Sequence, residues 1–135
     1  MTDPVLIDTD VLSAIMRGNP AATARARAYL DEHGRIAFSI ITRYEILRGL
    51  SAKNATKQIQ SFETFCARST VAPLDDAAVV RAADIYGDLS RRGQLIGDAD
   101  ILIAASALVN EMGLATNNRS HFERIRGLRI ENWLE

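Results

Sequence analysis

At 135 residues, with 47% apolar and 24% charged side chains, the chain has the size and composition of one compact domain and falls outside the disordered class. Its one cysteine, Cys66, excludes an intramolecular disulfide framework and any cysteine-based zinc or iron–sulfur centre, while two histidines, His33 and His121, are too few for a multi-histidine metal site. The net charge of −1, from 16 Lys+Arg against 17 Asp+Glu, excludes the global basic footprint of a sequence-specific DNA binder, so any contact with nucleic acid must be local.

The basic side chains are arginines except for Lys53 and Lys57. Guanidinium suits bidentate contact with phosphate or carboxylate, although a genome rich in G and C produces the same bias. No apolar stretch approaches the roughly 18 to 20 residues of a membrane span, and the start Met1-Thr2-Asp3-Pro4 has neither the charged nor the apolar region of a signal peptide. A cytoplasmic protein is expected.

In chain order, Val5-Leu6-Ile7 is a short, wholly apolar run ending on Asp8-Thr9-Asp10, the pattern of a strand buried on both faces and followed by a turn. A short helix from about Val11 to Arg17 stops at Gly18-Asn19-Pro20, and a second runs from Ala21 to Glu32 before Gly34. Arg35 to Ser39 reads as a strand. Thr42-Arg43-Tyr44-Glu45 opens a helix, with a further helix from about Ala55 to Ala67 and a strand at Thr70 to Pro73. Asp75 caps a long helix to about Arg92, where Ala78, Ala82, Ile85 and Leu89 share one face and Gly93 ends it. A helix from about Asp98 to Glu111 is stopped by Gly113 before the strand Leu114-Ala115-Thr116. A short helix near Ser120 to Arg124 and a strand around Leu128 to Ile130 close the chain.

Short apolar strands alternating with helices predict an α/β fold, a parallel sheet of four to five strands covered on both faces, because parallel neighbours need crossovers and helices supply them. Right-handed crossovers bring the carboxyl ends of the strands to one edge, where open sheets bind ligands. Reading what leaves each strand at that edge gives Asp8 and Asp10, then Glu45, then Asp98 and Asp100 at a helix start, then Asn117 and Asn118. Carboxylates converging on one place repel and raise one another's pKa unless a cation or protons lie between them. With oxygen ligands alone the cation expected is hard, Mg²⁺ or Mn²⁺.

Each acid also has an ordinary structural role. Asp8 or Asp10 can cap the helix that follows, Glu45 is spaced to complete a capping box with Thr42, Asp98 is a good N-cap, and Asp100 favours the positive end of the helix dipole. Asn118 is a common turn residue. Asp75 and Asp76 satisfy the same geometric rule after the third strand, so position alone does not separate ligands from caps.

The runs Val5-Leu6-Ile7-Asp8-Thr9-Asp10-Val11-Leu12, Thr42-Arg43-Tyr44-Glu45-Ile46-Leu47-Arg48-Gly49-Leu50 and Gly97-Asp98-Ala99-Asp100-Ile101-Leu102-Ile103-Ala104-Ala105 resemble the PIN domain. The stretch Leu114-Ala115-Thr116-Asn117-Asn118-Arg119-Ser120-His121-Phe122-Glu123-Arg124-Ile125, with Gly127-Leu128 and Glu131-Asn132-Trp133 beyond it, is similar to the ending of VapC-type toxins within that family. The resemblance spans nearly the whole chain and implies one PIN domain over residues 1–135, a three-layer α/β/α fold, and a Mg²⁺-dependent endoribonuclease in which Mn²⁺ substitutes. It further implies the toxin half of a toxin–antitoxin pair, acting on tRNA or rRNA to leave a 5′-phosphate and a 3′-hydroxyl. Its partners would be a VapB-type antitoxin and a second copy in a homodimer.

Carried over by motif, Asp8, Glu45 and Asp100 match the family's catalytic and metal-binding acids, and Asp98 an additional acid that some members carry. A fourth acidic position falls on Asn118, which puts a second fully liganded metal in doubt. Thr9, Asp10, Thr116, Asn118 and Arg43 would support the acids or contact phosphate, and Arg48 flanks Glu45 in the same way. Two rival classes are a haloacid-dehalogenase-like phosphatase, which also places aspartates two apart after an apolar strand, and a non-catalytic module whose acids are caps. The first wants a Thr or Val two residues beyond its second Asp and a charge-balancing lysine. Here Leu12 holds that position, and Lys53 and Lys57 lie on a helical stretch.

Overall fold

A computed structural model describes residues 2–135. Strand β1 (Val5–Ile7) leads into α1 (Thr9–Met16) and α2 (Pro20–His33), followed by β2 (Ala37–Ser39), α3 (Ile40–Ala52), α4 (Thr56–Ala67) and β3 (Thr70–Ala72). Then come α5 (Asp76–Arg91), α6 (Asp98–Val109), β4 (Gly113–Ala115), α7 (Arg119–Phe122) and β5 (Ile130–Glu131). All strand pairs are parallel: β1 lies against β4, β4 against β5, and β2 against β3. The hydrogen bonds make a three-stranded ladder, β1-β4-β5, and a two-stranded one, β2-β3, and β1 packs beside β2 to align the two.

The strands are short and two-sided. Leu6 and Leu114 enter a core with Ile85 and Leu89 of α5 and Ile101, Ile103 and Ala104 of α6. Val5 and Ile7, pointing the other way by strand alternation, enter a second core with Val11, Leu12, Tyr29, Phe38, Phe62 and Trp133. Helices therefore cover both faces, giving the expected three layers. Among the described residues no helix is long and apolar enough to cross a membrane.

Helix boundaries differ from expectation where a cap intervenes. Ser39, the last residue of β2, accepts from the Ile41 amide at 3.0 Å, so α3 starts at Ile40 rather than Thr42. Glu45 then lies more than a turn inside the helix, out of reach of its cap, and the Thr42–Glu45 capping box does not form. Asp8 caps α1 directly, which starts at Thr9 rather than Val11, and Asn19 caps α2 with Pro20 at its first position. Asp75 caps α5 as expected, accepting from the Ala78 amide at 3.0 Å. For α6 the cap residue is Gly97, and Asp98 is the first helical residue instead of the cap.

The end of α6 is a further departure. The helix stops at Val109, and the left-handed residue that follows is Glu111 (φ 56°), whereas Gly113 lies inside β4. Gly113 is required for closeness: a Cβ there would come within 2.8 Å of the Arg129 guanidinium and 3.0 Å of the Arg129 carbonyl. Glycine relieves left-handed strain and a methyl group at a crowded strand position adds it. Glu111→Gly should therefore raise stability in urea unfolding by about 1 kcal/mol, and Gly113→Ala should lower it by about 1 kcal/mol through overpacking against Arg129; equal and small effects of both would contradict this assignment.

Candidate active site

Asp8 and Thr116 meet because of strand register. Ile7 pairs with Ala115, and the ladder runs one step further through a hydrogen bond from the Asp8 amide to the Ala115 carbonyl at 2.8 Å. The next residues of two adjacent strands are thus side by side, and Thr116 Oγ1 donates to Asp8 Oδ2 at 2.7 Å. The other oxygen, Oδ1, accepts from the Thr9 amide at 2.9 Å. Asp8 is only 5% exposed.

Burial, followed by the neighbouring Asp10 and then Asp100, pushes the Asp8 carboxyl up to about 7, against the pull of the Thr116 and Thr9 hydrogen bonds. Asp10 is raised too, first by burial, although it accepts from the Val11 amide at 2.7 Å and the Asn117 amide at 3.1 Å. Of the acids expected at this sheet edge, Asp10 and Asp100 lie close enough for their charge to be felt at Asp8.

Glu45 approaches from α3. Thr9 Oγ1 donates to Glu45 Oε1 at 2.7 Å and lies 3.1 Å from Thr42 Oγ1, so the buried Thr42 braces the pair instead of capping a helix. Arg48 Nη2 stands 3.7 Å from Glu45 Oε2 and over the Tyr44 ring, while Arg43 turns away to an ion pair with Glu63 and lies 3.6 Å from Cys66 Sγ. Arg43 thus lines a separate cleft of about 450 Å³ with Ile40, Cys66, Val71 and Leu74. Of the arginines flanking Glu45, Arg48 is the one beside it.

Asp100 is in the first turn of α6, half-buried, with its Oδ2 3.1 Å from His121 Nδ1. The Asn118 amide nitrogen lies 2.9 Å from the same ring nitrogen, and the Asn118 backbone N–H donates to Thr116 Oγ1 at 3.0 Å. Asp98 is exposed on the same turn. His121 is the site residue that sequence reasoning passed over, having considered histidines only as metal ligands. The spacing that could have found it is Asn118 to His121, three residues apart around a short helix and therefore on one face.

Among the described residues, no three His, Cys, Asp or Glu side chains stand close enough to form a ready-made metal cage. The donor chemistry nevertheless fits a hard divalent ion. Mg²⁺ keeps several waters and takes one or two carboxylates from a protein, and the Asp8–Asp10–Asp100 group offers oxygen only, with an unfavourable charge that a cation offsets.

A carboxyl raised above its unfolded value of 3.8 takes up a proton on folding, so its contribution to stability is full below that value and is lost as pH rises through about 7. In chelator-treated protein, Asp8→Asn should accordingly gain about 2 kcal/mol more stability at pH 8 than at pH 5. Thermal unfolding of parent and variant at the two pH values checks this, and a gain independent of pH would contradict the assigned cause.

Residues 5–128 match the PIN domain family. The chain is 35% identical to a protein named Ribonuclease VapC1 of Methanocaldococcus jannaschii over 93% of its own length and 85% of the relative's. It is 30% identical to the tRNA(fMet)-specific endonuclease VapC of Shigella flexneri, over 95% and 96% respectively. Among solved structures it is similar to the DNA-bound VapBC of Salmonella typhimurium, with TM-score 0.86, 28% identity and coverage of 98% of this chain and 99% of that one. It is likewise similar to VapBC2 of Rickettsia felis bound to a promoter DNA fragment, with TM-score 0.84, 27% identity and coverage of 96% and 98%. With a family match over most of its length and these relatives aligned nearly end to end, the chain belongs to the PIN domain family.

Proposed function

We propose that the protein is a metal-dependent endoribonuclease, the toxin of a VapBC-type toxin–antitoxin pair, with Mg²⁺ as its metal and Mn²⁺ able to replace it. The observation that carries the reading is Asp8, a buried carboxylate at a strand end with Asp10 and Asp100 pressing on it. Ribonucleases of this family generally depend on a divalent metal. The names of the relatives, ribonuclease and tRNA-specific endonuclease, support RNA as the substrate class. Structures of VapBC complexes support an antitoxin as partner. A second copy of the chain is the further partner proposed, and the two cores on the faces of aligned sheets support a single domain over residues 1–135. Its place of action is the cytoplasm, in keeping with a free thiol at Cys66.

In mechanism, the substrate is an anion that repels an attacking oxygen. A bound divalent cation neutralises phosphate charge and acidifies water near it. Asp8 and Asp100 would hold that ion, with Asp98 adding negative charge on the solvent side. Thr116 and the Thr9 amide keep Asp8 from rotating. Glu45, aimed by Thr9, orients the attacking water and accepts its proton. Attack at phosphorus breaks the bond to the 3′ oxygen, which takes a proton from solvent water, leaving a 3′-hydroxyl and a 5′-phosphate. Asn118 and Arg48 would contact phosphate.

The phosphatase alternative requires a lysine beside the aspartates, but Lys53 is the C-terminal cap of α3 and Lys57 lies in the first turn of α4. The caps-only alternative explains Asp8 on α1, yet it does not explain Glu45, which caps nothing.

RNA cleavage in Mg²⁺ should disappear on chelation and return with Mn²⁺. Asp8→Asn and Asp100→Asn should each lower the cleavage rate at least 100-fold, and Glu45→Gln should lower it about 100-fold, the usual range for losing a general base. Growth arrest on expression should fall with the rates. Parent-like cleavage by Asp8→Asn would overturn the assignment.

A further inference from the structure

Helix α7 carries no carboxylate, yet its segment is tied to the start of α6 at several points. Arg124 Nη1 donates to the carbonyls of Gln94 at 3.3 Å and Leu95 at 3.2 Å, on the loop that enters α6. Arg92 Nη2 donates to the Arg124 carbonyl at 2.6 Å, and Arg92 is itself held by Asp88. Phe122 and Ile125 are buried in the same core as Ile96 and Ile101. The backbone before α6 and the backbone of α7 are therefore one frame, and His121 rides on it.

The His121 side chain is 41% exposed, so core packing does not dictate its direction; what it meets is Asp100, with Nδ1 3.1 Å from Oδ2. A ring nitrogen cannot donate to Asp100 and accept from Asn118 at once. The charged oxygen is the stronger partner, and a half-turn of the Asn118 amide replaces its nitrogen by its oxygen. The ring nitrogen Nδ1, carrying a proton, thus donates to Asp100. One donor on one oxygen stops the carboxylate from turning about its own axis, which an acid in the first turn of a helix would otherwise be free to do.

We propose that His121 is a positioning residue: its Nδ1–H holds Asp100 Oδ2 so that the remaining lone pairs of that carboxylate face Asp8 and take the divalent ion there. This rests on the metal-site reading above and assigns His121 no contact with metal or RNA. Donors that orient metal-binding carboxylates typically change metal affinity 10- to 100-fold when removed.

The test is Mn²⁺ binding by calorimetry to the full chain at neutral pH, with unfolding temperatures measured alongside. His121→Ala should weaken Mn²⁺ about 10-fold, leaving the metal-free unfolding temperature nearly unchanged. His121→Asn, whose amide nitrogen sits about as far from the backbone as Nδ1, should recover affinity to within about 3-fold of the parent, whereas His121→Gln, with its nitrogen one bond further out, should behave like alanine. On an Asp100→Asn background, His121→Ala should have no further effect. Parent-like affinity in His121→Ala, or no recovery in His121→Asn, overturns the inference while the metal site stands. If the parent itself fails to bind Mn²⁺, the metal-site reading falls and takes this role with it.

Discussion

The interaction on which the site depends is the parallel pairing of β1 with β4. It joins residues more than a hundred positions apart, and its register sets Asp8 beside Thr116 at the buried end of two adjacent strands. Because each strand is only three residues long and buried on both faces, a slip of one residue would exchange the two cores and turn Asp8 away from the sheet edge. The two hydrophobic clusters therefore hold the register, and the register holds the carboxylate. Fold stability and site geometry share one cause.

Two helix starts temper the electrostatic cost of gathering acids there. Asp8 caps α1, and Asp98 and Asp100 occupy the first turn of α6, so the positive ends of both helices face the acids. That is not enough to give Asp8 an ordinary carboxyl, since burial is the largest cause of its upward shift. The net charge of −1 conceals this local polarity: Asp8, Asp10 and Asp100 stand near one another at one sheet edge, while arginines such as Arg43, Arg92 and Arg129 are tied into ion pairs elsewhere.

The order and type of the elements were legible in the amino-acid sequence because short apolar runs and helical periodicity report burial directly. The nearness of Asp10 and Asp100 to Asp8 was legible too, since strand ends share one edge, although the same rule also marked Asp75 and Asp76. Helix starts were less so, because several residues compete to cap and only tertiary placement decides. Ser39 outcompetes Thr42, and that frees Thr42 to brace Thr9 and Glu45. The end of α6 was misplaced because Gly113 looks like a stop signal, although its need for a bare backbone comes from Arg129, across the strand ladder. Arg43 and Arg48 were equivalent in sequence. Glu63, on the neighbouring helix, separates them by capturing the first.

The central claim is that Asp8 is a buried carboxyl kept abnormally basic by its surroundings and relieved by a divalent cation. Its titration is directly observable by carbon-13 NMR of the side-chain carboxyl. Without metal the midpoint should lie near 7, and saturating Mg²⁺ should drive it below the ordinary carboxylate range. A midpoint at an ordinary aspartate value in metal-free protein, unmoved by Mg²⁺, would contradict the account.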